Sequence, residues 1–177
     1  MTLPPPFIEG TNHINAIVET PKGSGNKYAF DKKTGLIKLK RALPAGMVFP
    51  FDFGFIPSTI AEDGDPMDIL ILTDAPTFSG CLVESKVLGI IKVEQEDDGE
   101  KVRNDRVIAV QLKSRLYSNV ETIEDLPEGL VNEIVHFFAS YNEVSNDLFK
   151  FIGNDGPAIA LELIGKSIKK ASEDSDS

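Results

Sequence analysis

The chain has 177 residues, of which 41% are hydrophobic, and a net charge of −10. These values predict one globular domain over residues 1–170, followed by an acidic, disordered tail over 171–177. The charge argues against nucleic-acid binding, because phosphate backbones attract basic surfaces. The sequence also has neither an apolar run of the roughly 18 residues that cross a bilayer nor a secretory signal, so we expect no membrane partner. A single cysteine, Cys81, fits a cytoplasmic location.

The first two thirds of the chain predict β-structure. Short runs separated by turn residues predict strands at 15–20, 27–31, 36–39, 68–72, 82–93 and 107–112, of which the last two are rich in Val and Ile. The segment 31–35 predicts a hairpin turn that has glycine near its end. An acidic, polar loop is predicted over 94–105.

The last third predicts helices. One begins at Pro127 and runs to about Tyr141, since its apolar residues recur at helical spacing. The segment 154–157 has the composition of a helix start and precedes a second apolar face that ends at Ile168. Short strands followed by two helices predict an α+β fold with a small closed barrel and helices on its outside.

The strongest chemical signal is the acidic segment 62–68. Asp63, Asp65 and Asp68 lie within six residues, directly before a buried strand. Such carboxylates repel one another unless a cation neutralises them, and ligands that are all oxygen select Mg²⁺ or Mn²⁺ over zinc. An acidic surface turn is the alternative. An EF-hand is excluded, because the fifth and sixth positions counted from Asp63 are Met67 and another aspartate.

Two further features precede this segment. Lys27 and Arg41 offer the positive charge that a polyanionic substrate needs, although each is also compatible with a solvated strand end. In the segment 49–55, phenylalanines at alternate positions line one face of an extended chain, and packing in the core is the simpler interpretation.

Together these features resemble the family I soluble inorganic pyrophosphatases over about residues 15–141. The motif that carries the resemblance is Asp63-Gly64-Asp65-Pro66-Met67-Asp68. The matching flanks, in the family's order, are 18–21, 26–28, Arg41, 49–50, 52–57, 136–138 and Tyr141.

The resemblance implies a five-stranded, OB-like barrel and hydrolysis of pyrophosphate to two phosphates by metal-activated water. Asp63 and Asp68 are then metal ligands, with Asp68 between two ions, while Glu19 helps to hold a further metal through water. Asp65 is also at the metal and is the general base. Lys27, Arg41, Arg106 and Tyr141 bind phosphate, and the cofactor is Mg²⁺, with Mn²⁺ possible. Relatives of this length form homo-oligomers, usually hexamers.

The sequence departs from the family's pattern, which places it in a divergent subgroup. Ala29 replaces a carboxylate, Asn104 an aspartate, Asn142 a lysine, and Arg106 a lysine. Two tyrosines and an asparagine become Phe49, Phe53 and Asp52. Asp105 is a possible substitute for the lost aspartate, and one acid among Glu94, Glu96, Asp97 and Asp98 is expected to face a metal.

These departures leave three functions open. The first is pyrophosphate hydrolysis with the active site retained. The second is hydrolysis of another phosphoanhydride or a nucleotide on the same scaffold. The third is a catalytically impaired protein that binds metal or phosphate.

Overall fold

The computed structural model describes residues 3–97, 100–143 and 148–175, without the side chains of 97 and 169–175. In these ranges the elements are β1 (Ile14–Thr20), β2 (Asn26–Asp31), β3 (Leu36–Ala42), β4 (Asp52–Phe55), β5 (Asp68–Leu72), β6 (Leu82–Asp97), β7 (Glu100–Arg103), β8 (Arg106–Gln111), a short 3₁₀ turn (Ile123–Asp125), α1 (Leu130–Glu143), β9 (Phe149–Asp155) and α2 (Pro157–Ser175).

Five strands close into a ring. The hydrogen-bonded order is β1–β4–β5–β8–β6, and β6 pairs back with β1. All neighbours in the ring are antiparallel except β5 and β8, which are parallel. The hairpin of β2 and β3 forms a separate sheet, while β7 and β9 extend the long strand β6. This ring and the two helices confirm the predicted α+β barrel.

The barrel strands divide their side chains between two apolar clusters, because alternate residues point to opposite faces. Leu70 and Leu72 of β5 pack in the cluster that includes α1, whereas Ile69 and Ile71 pack in the cluster that includes α2. All four are fully buried. The phenylalanines of segment 49–55 are buried as well, so the core interpretation of that segment is confirmed.

The barrel is also closed by a close backbone approach at Gly54 of β4. A Cβ placed there would lie 1.9 Å from the backbone oxygen of Ile17 in β1. Only glycine therefore fits where these two strands meet. This contact holds β1, and with it Glu19, against the strand that leads to the acidic segment.

Two sequence predictions are wrong in detail. The segment 94–105 is not a loop: β6 continues to Asp97 and pairs with β7, and an ion pair of 3.3 Å joins Lys101 to Glu94. Helix α1 begins at Leu130 rather than Pro127, because Gly129 has a φ of 84°, outside the helical region. The edge strand β9 was missed altogether. The second helix does begin at Pro157, as predicted.

The backbone of α2 is helical to Ser175, whereas the sequence predicts a disordered tail from residue 171. Residues 176–177 lie outside the described part of the chain. None of the helices in that part is long and apolar enough to span a membrane.

Candidate active site

The acidic segment turns at the entrance to β5. The backbone N–H of Asp65 donates to Oδ1 of Asp63 at 3.1 Å, which closes the turn. The Asp65 side chain is 79% exposed, and its Oδ1 lies 3.5 Å from Nζ of Lys32. Asp68 is the first residue of β5, and only 23% of its side chain is exposed. The turn therefore leaves one carboxylate at the rim and brings another inside.

Glu19 of β1 faces the same region. Its Oε1 accepts a hydrogen bond of 2.7 Å from the backbone N–H of Phe30. The pKa of Glu19 is raised to about 7, mainly by burial; the hydrogen bond from Phe30 opposes this shift, and the charge of Asp68 adds to it. Burial is also the main cause that raises the pKa of Asp68, opposed chiefly by Arg106. These carboxylates share one electrostatic field, in which a further positive charge would be stabilised.

The hairpin and α1 supply the basic wall. Lys27 and Arg41 are partners in the register of β2 and β3. Nε of Arg41 donates to the Tyr141 hydroxyl at 3.1 Å, and the guanidinium lies 4.1 Å from the centre of the tyrosine ring. Nζ of Lys27 lies 5.3 Å from the same ring centre. Tyr141 therefore aligns two cations from neighbouring strands.

Arg106 supplies a third cation from β8. It pairs in register with Asp68, and its Nε lies 3.7 Å from Oδ2 of that residue. The guanidinium stacks 4.3 Å from the ring centre of Phe138 and 5.6 Å from that of Phe149. It donates to the backbone oxygen of Asn104 at 3.2 Å. Arg106 is only 4% exposed, yet its Nε has no hydrogen-bond partner in the described structure.

Two adjoining cavities result. One, of about 330 Å³, has predominantly basic and aromatic walls. The other, of about 230 Å³, has the carboxylates on its walls. Both cavities are lined by Lys27, Lys40, Phe53 and Asp68. The arrangement can hold a polyanion on one side and a cation on the other, with Asp68 between them.

The structure brings most of the predicted site residues together. The basic cavity is lined by Lys27, Arg41, Asp68, Arg106 and Tyr141. The carboxylate cavity is lined by Glu19, Lys27, Asp65 and Asp68. Asp63 lines neither cavity, although its charge acts on Asp68 and Arg106.

Several departures from the family's pattern also lie at these cavities. Ala29 lines the carboxylate cavity, while Phe49, Asn104 and Asn142 line the basic one. The Asn104 side chain donates to Gln95 at 2.8 Å, and that of Asn142 donates to the backbone oxygen of Phe138 at 2.7 Å. These neutral side chains are thus held by protein groups at the margin of the basic cavity.

Asp105, the possible substitute for the lost aspartate, is engaged elsewhere. It accepts hydrogen bonds from the backbone N–H of Val93 at 3.0 Å and from the Arg103 guanidinium at 2.7–3.0 Å. It lines a third cavity, of about 190 Å³, together with residues of α2. The geometry therefore gives Asp105 a role in bracing the end of the β6–β7 hairpin.

The acids of that hairpin lie away from the two cavities where they are described. Glu94 pairs with Lys101, and Glu96 is exposed. The Asp97 side chain and residue 98 lie outside the described part of the chain.

Asp52 is fully buried in place of the family's asparagine. Its Oδ1 accepts from the backbone N–H of Lys22 at 2.7 Å, and its Oδ2 accepts from Thr73 and twice from Thr77 at 2.8–3.3 Å. It does not line either cavity, and as an acceptor it ties two loops, the one after β1 and the one after β5, to the start of β4.

Lys40 was missed as a site residue by the sequence reasoning. It lines both cavities from β3. The available signal was the alternation of Lys38 and Lys40 along that strand, which places both lysines on one face. Gln95 was missed for another reason, since its segment was predicted to be a loop.

The chain matches the family model for inorganic pyrophosphatase over residues 16–172. It is 38% identical over 160 residues to an inorganic pyrophosphatase of Geobacillus stearothermophilus, covering 90% of this chain and 94% of that protein. It is 39% identical over 168 residues to one of Saccharolobus solfataricus, covering 93% and 95%. The crystal structure of inorganic pyrophosphatase from Thermus thermophilus superposes with a TM-score of 0.88 at 36% identity, covering 97% of each chain. The chain therefore belongs to the inorganic pyrophosphatase family, whose activity is the hydrolysis of pyrophosphate.

Proposed function

We propose that the chain hydrolyses pyrophosphate to two phosphates with Mg²⁺-activated water, and that Asp65 is the general base. The observation that carries the proposal is the pair of adjoining cavities, one basic and one lined by carboxylates. Hydrolysis of a phosphoanhydride needs both, since the substrate is a polyanion and the reaction develops negative charge on phosphate oxygens.

The carboxylate cavity fits a hard divalent cation, which agrees with the metal dependence of the family. Glu19, Asp65 and Asp68 line this cavity and would hold the ion together with Asp63, which lies just outside it in the same turn as Asp65. All their donor atoms are oxygens, and the charges of Glu19 and Asp68 act on each other. Among the described residues no three acids, histidines or cysteines converge as a metal cluster. Mg²⁺ is the proposed ion, with Mn²⁺ as the alternative; when bound, it acidifies water and neutralises phosphate charge.

The substrate side is carried by Lys27, Arg41, Arg106 and Tyr141. Positive charge at close range offsets the charge of pyrophosphate, and the stacked guanidinium of Arg106 is already fixed in place. Its buried, unpartnered Nε can gain a phosphate oxygen as its acceptor.

Asp65 stands at the rim of the carboxylate cavity. From there it can take the proton of an attacking water while the anhydride bond breaks. No side chain needs to form a covalent intermediate, since phosphoryl transfer depends mainly on positioning and charge.

Asp65→Asn tests the assignment of the base. The change keeps the size of an exposed side chain, so folding should be nearly unaffected. General-base catalysis contributes about 10²–10⁴-fold, and kcat should fall by that factor. Glu62→Gln, an exposed acid in the same segment, is the matched control and should keep the wild-type rate. Full activity of Asp65→Asn would reject Asp65 as the base.

We also propose that the chain assembles as a homo-oligomer, a hexamer by resemblance to the family. Large apolar side chains on its surface support this, notably Phe78 and Leu116, which are 67% and 70% exposed. Light scattering after size-exclusion chromatography gives the mass directly, and a monomer at micromolar concentration would contradict the proposal.

A further inference from the structure

A lysine-rich cavity adjoins the proposed active site on the side of the β2–β3 hairpin. It has a volume of about 240 Å³, and its walls include Lys32, Lys33, Lys38 and Lys40. Ala29, Phe30, Lys32, Lys40 and Asp65 line this cavity and also the carboxylate cavity. The two spaces are therefore contiguous across the side chain of the proposed base.

The positive charge is concentrated here against the trend of the chain. Residues 26–42 hold six basic residues and one acid, Asp31, in a protein of net charge −10. That acid is already engaged, since it accepts hydrogen bonds from the Thr34 hydroxyl and the backbone N–H of Lys33. Lys32 is paired with Asp65. In the described part of the chain, Lys33, Lys38 and Lys40 form no ion pair with a carboxylate.

Ala29 explains why these lysines stay unpaired. It lies opposite Lys38 in the register of the hairpin and lines the same cavity. A carboxylate, which the family usually has at this position, would face the lysines and neutralise part of their charge. The methyl group leaves the wall positive, so an anion can be bound there.

The cavity offers little to a nucleobase. Its single aromatic lining residue, Phe30, already stacks on Phe55 with ring centres 5.5 Å apart. The remaining walls are four lysines, Ala29 and the carboxylates of Asp31 and Asp65, both of which already have partners. The lysines bind phosphate through charge and hydrogen bonds. This chemistry favours an inorganic phosphate chain over a nucleotide.

We propose that the lysine-rich cavity binds the outer phosphate of a linear inorganic polyphosphate, with tripolyphosphate as the shortest ligand. The proposal rests on the proposed function, because the other phosphates occupy the same active site. Water oxygen forms a bond to a terminal phosphorus, the anhydride P–O bond at that phosphorus breaks, and Asp65 accepts the proton. The products are phosphate and pyrophosphate, and the latter is again a substrate.

The test compares two double variants that each remove two exposed lysine charges. Lys33→Ala/Lys38→Ala alters the lysine-rich cavity alone, and Lys150→Ala/Lys166→Ala is the control on β9 and α2. Circular dichroism verifies folding. Tripolyphosphate binding is measured by calorimetry in metal-free buffer, and steady-state hydrolysis of tripolyphosphate, pyrophosphate and ATP is measured with Mg²⁺.

We expect Lys33→Ala/Lys38→Ala to weaken the binding of tripolyphosphate and to raise the KM for tripolyphosphate about tenfold, since exposed charge contacts contribute modestly. Hydrolysis of pyrophosphate should change less than about twofold, and the control should match the wild type. If the variant impaired hydrolysis of pyrophosphate as much as that of tripolyphosphate, or if the control had the same effect as Lys33→Ala/Lys38→Ala, the cavity would not be a separate binding site. ATP bound as tightly as tripolyphosphate would overturn the choice of an inorganic chain. Loss of turnover with all substrates, while lysine-dependent binding persists, would overturn the proposed function and leave the binding site standing.

Discussion

Arg106→Lys restores the residue that the family usually has, yet we expect it to impair this protein. The reason is the surroundings of Arg106, whose planar guanidinium packs against Phe138 and Phe149 and donates to the backbone of Asn104. A lysine ammonium is a compact charge that cannot stack as a plane or span the same partners.

The size of the effect follows from these contacts. A hydrogen bond to a charged group contributes about 1.5–3 kcal/mol, and a desolvated cation–π contact contributes about 2 kcal/mol. Lysine recovers part of these two contributions and keeps the attraction to Asp68. The free energy of unfolding should therefore fall by about 2 kcal/mol in total. Since the buried Nε is also lost as a donor toward phosphate, kcat/KM for pyrophosphate should fall at least about tenfold.

Urea unfolding and steady-state phosphate release measure the two effects. A double-mutant cycle with Phe138→Leu isolates the stacking, and we expect a coupling energy of about 1 kcal/mol between the two positions. If Arg106→Lys is as stable and as active as the wild type, and the cycle shows no coupling, the stacking carries no energy and this reasoning is refuted.

Two further changes concern stability. Asp52→Asn places an amide donor among the donors that surround the buried carboxylate. The free energy of unfolding in urea should therefore fall by about 1–3 kcal/mol, and an unchanged midpoint would contradict the hydrogen-bond network. At Asp74, the hydrogen bond from the Ser114 hydroxyl is the main cause that lowers the pKa of the carboxyl below the usual 3.8. The ionised carboxylate therefore stabilises the fold above pH 3.8, and this stabilisation is lost as the pH falls through the lower pKa of the folded state. Asp74→Asn should therefore destabilise the protein at pH 7, with a difference from wild type that narrows in acid; a constant difference from pH 7 to pH 2 would reject this linkage.

The fold could be predicted where apolar residues follow a clear period. Strands such as β5 are buried on both faces, and both helices carry apolar stripes, so their positions were visible in the sequence. The polar hairpin of β6 and β7 and the edge strand β9 were missed for the opposite reason. Their stability comes from pairing with an existing strand and from pairs such as Lys101 with Glu94, which leave no apolar pattern.

The site could be predicted where one short segment holds its chemistry, as in 63–68. The resemblance named the remaining residues, but it did not show how they are positioned. The contact of Arg106 with two aromatic rings depends on β8, α1 and β9 meeting in space. The engagement of Asp105 by Arg103 and the position of Lys40 at both cavities depend likewise on strand register, which spacing alone does not fix.

The most direct test of the central claim is phosphate release from pyrophosphate by the wild-type protein, in excess Mg²⁺ at neutral to mildly alkaline pH. A parallel assay with ATP and a phosphomonoester tests selectivity. The account predicts fast, metal-dependent turnover that strongly favours pyrophosphate over both. A folded protein that binds Mg²⁺ but releases no phosphate from any of these substrates would contradict it, and would show that Ala29, Asn104 and Asn142 have abolished the activity of the family.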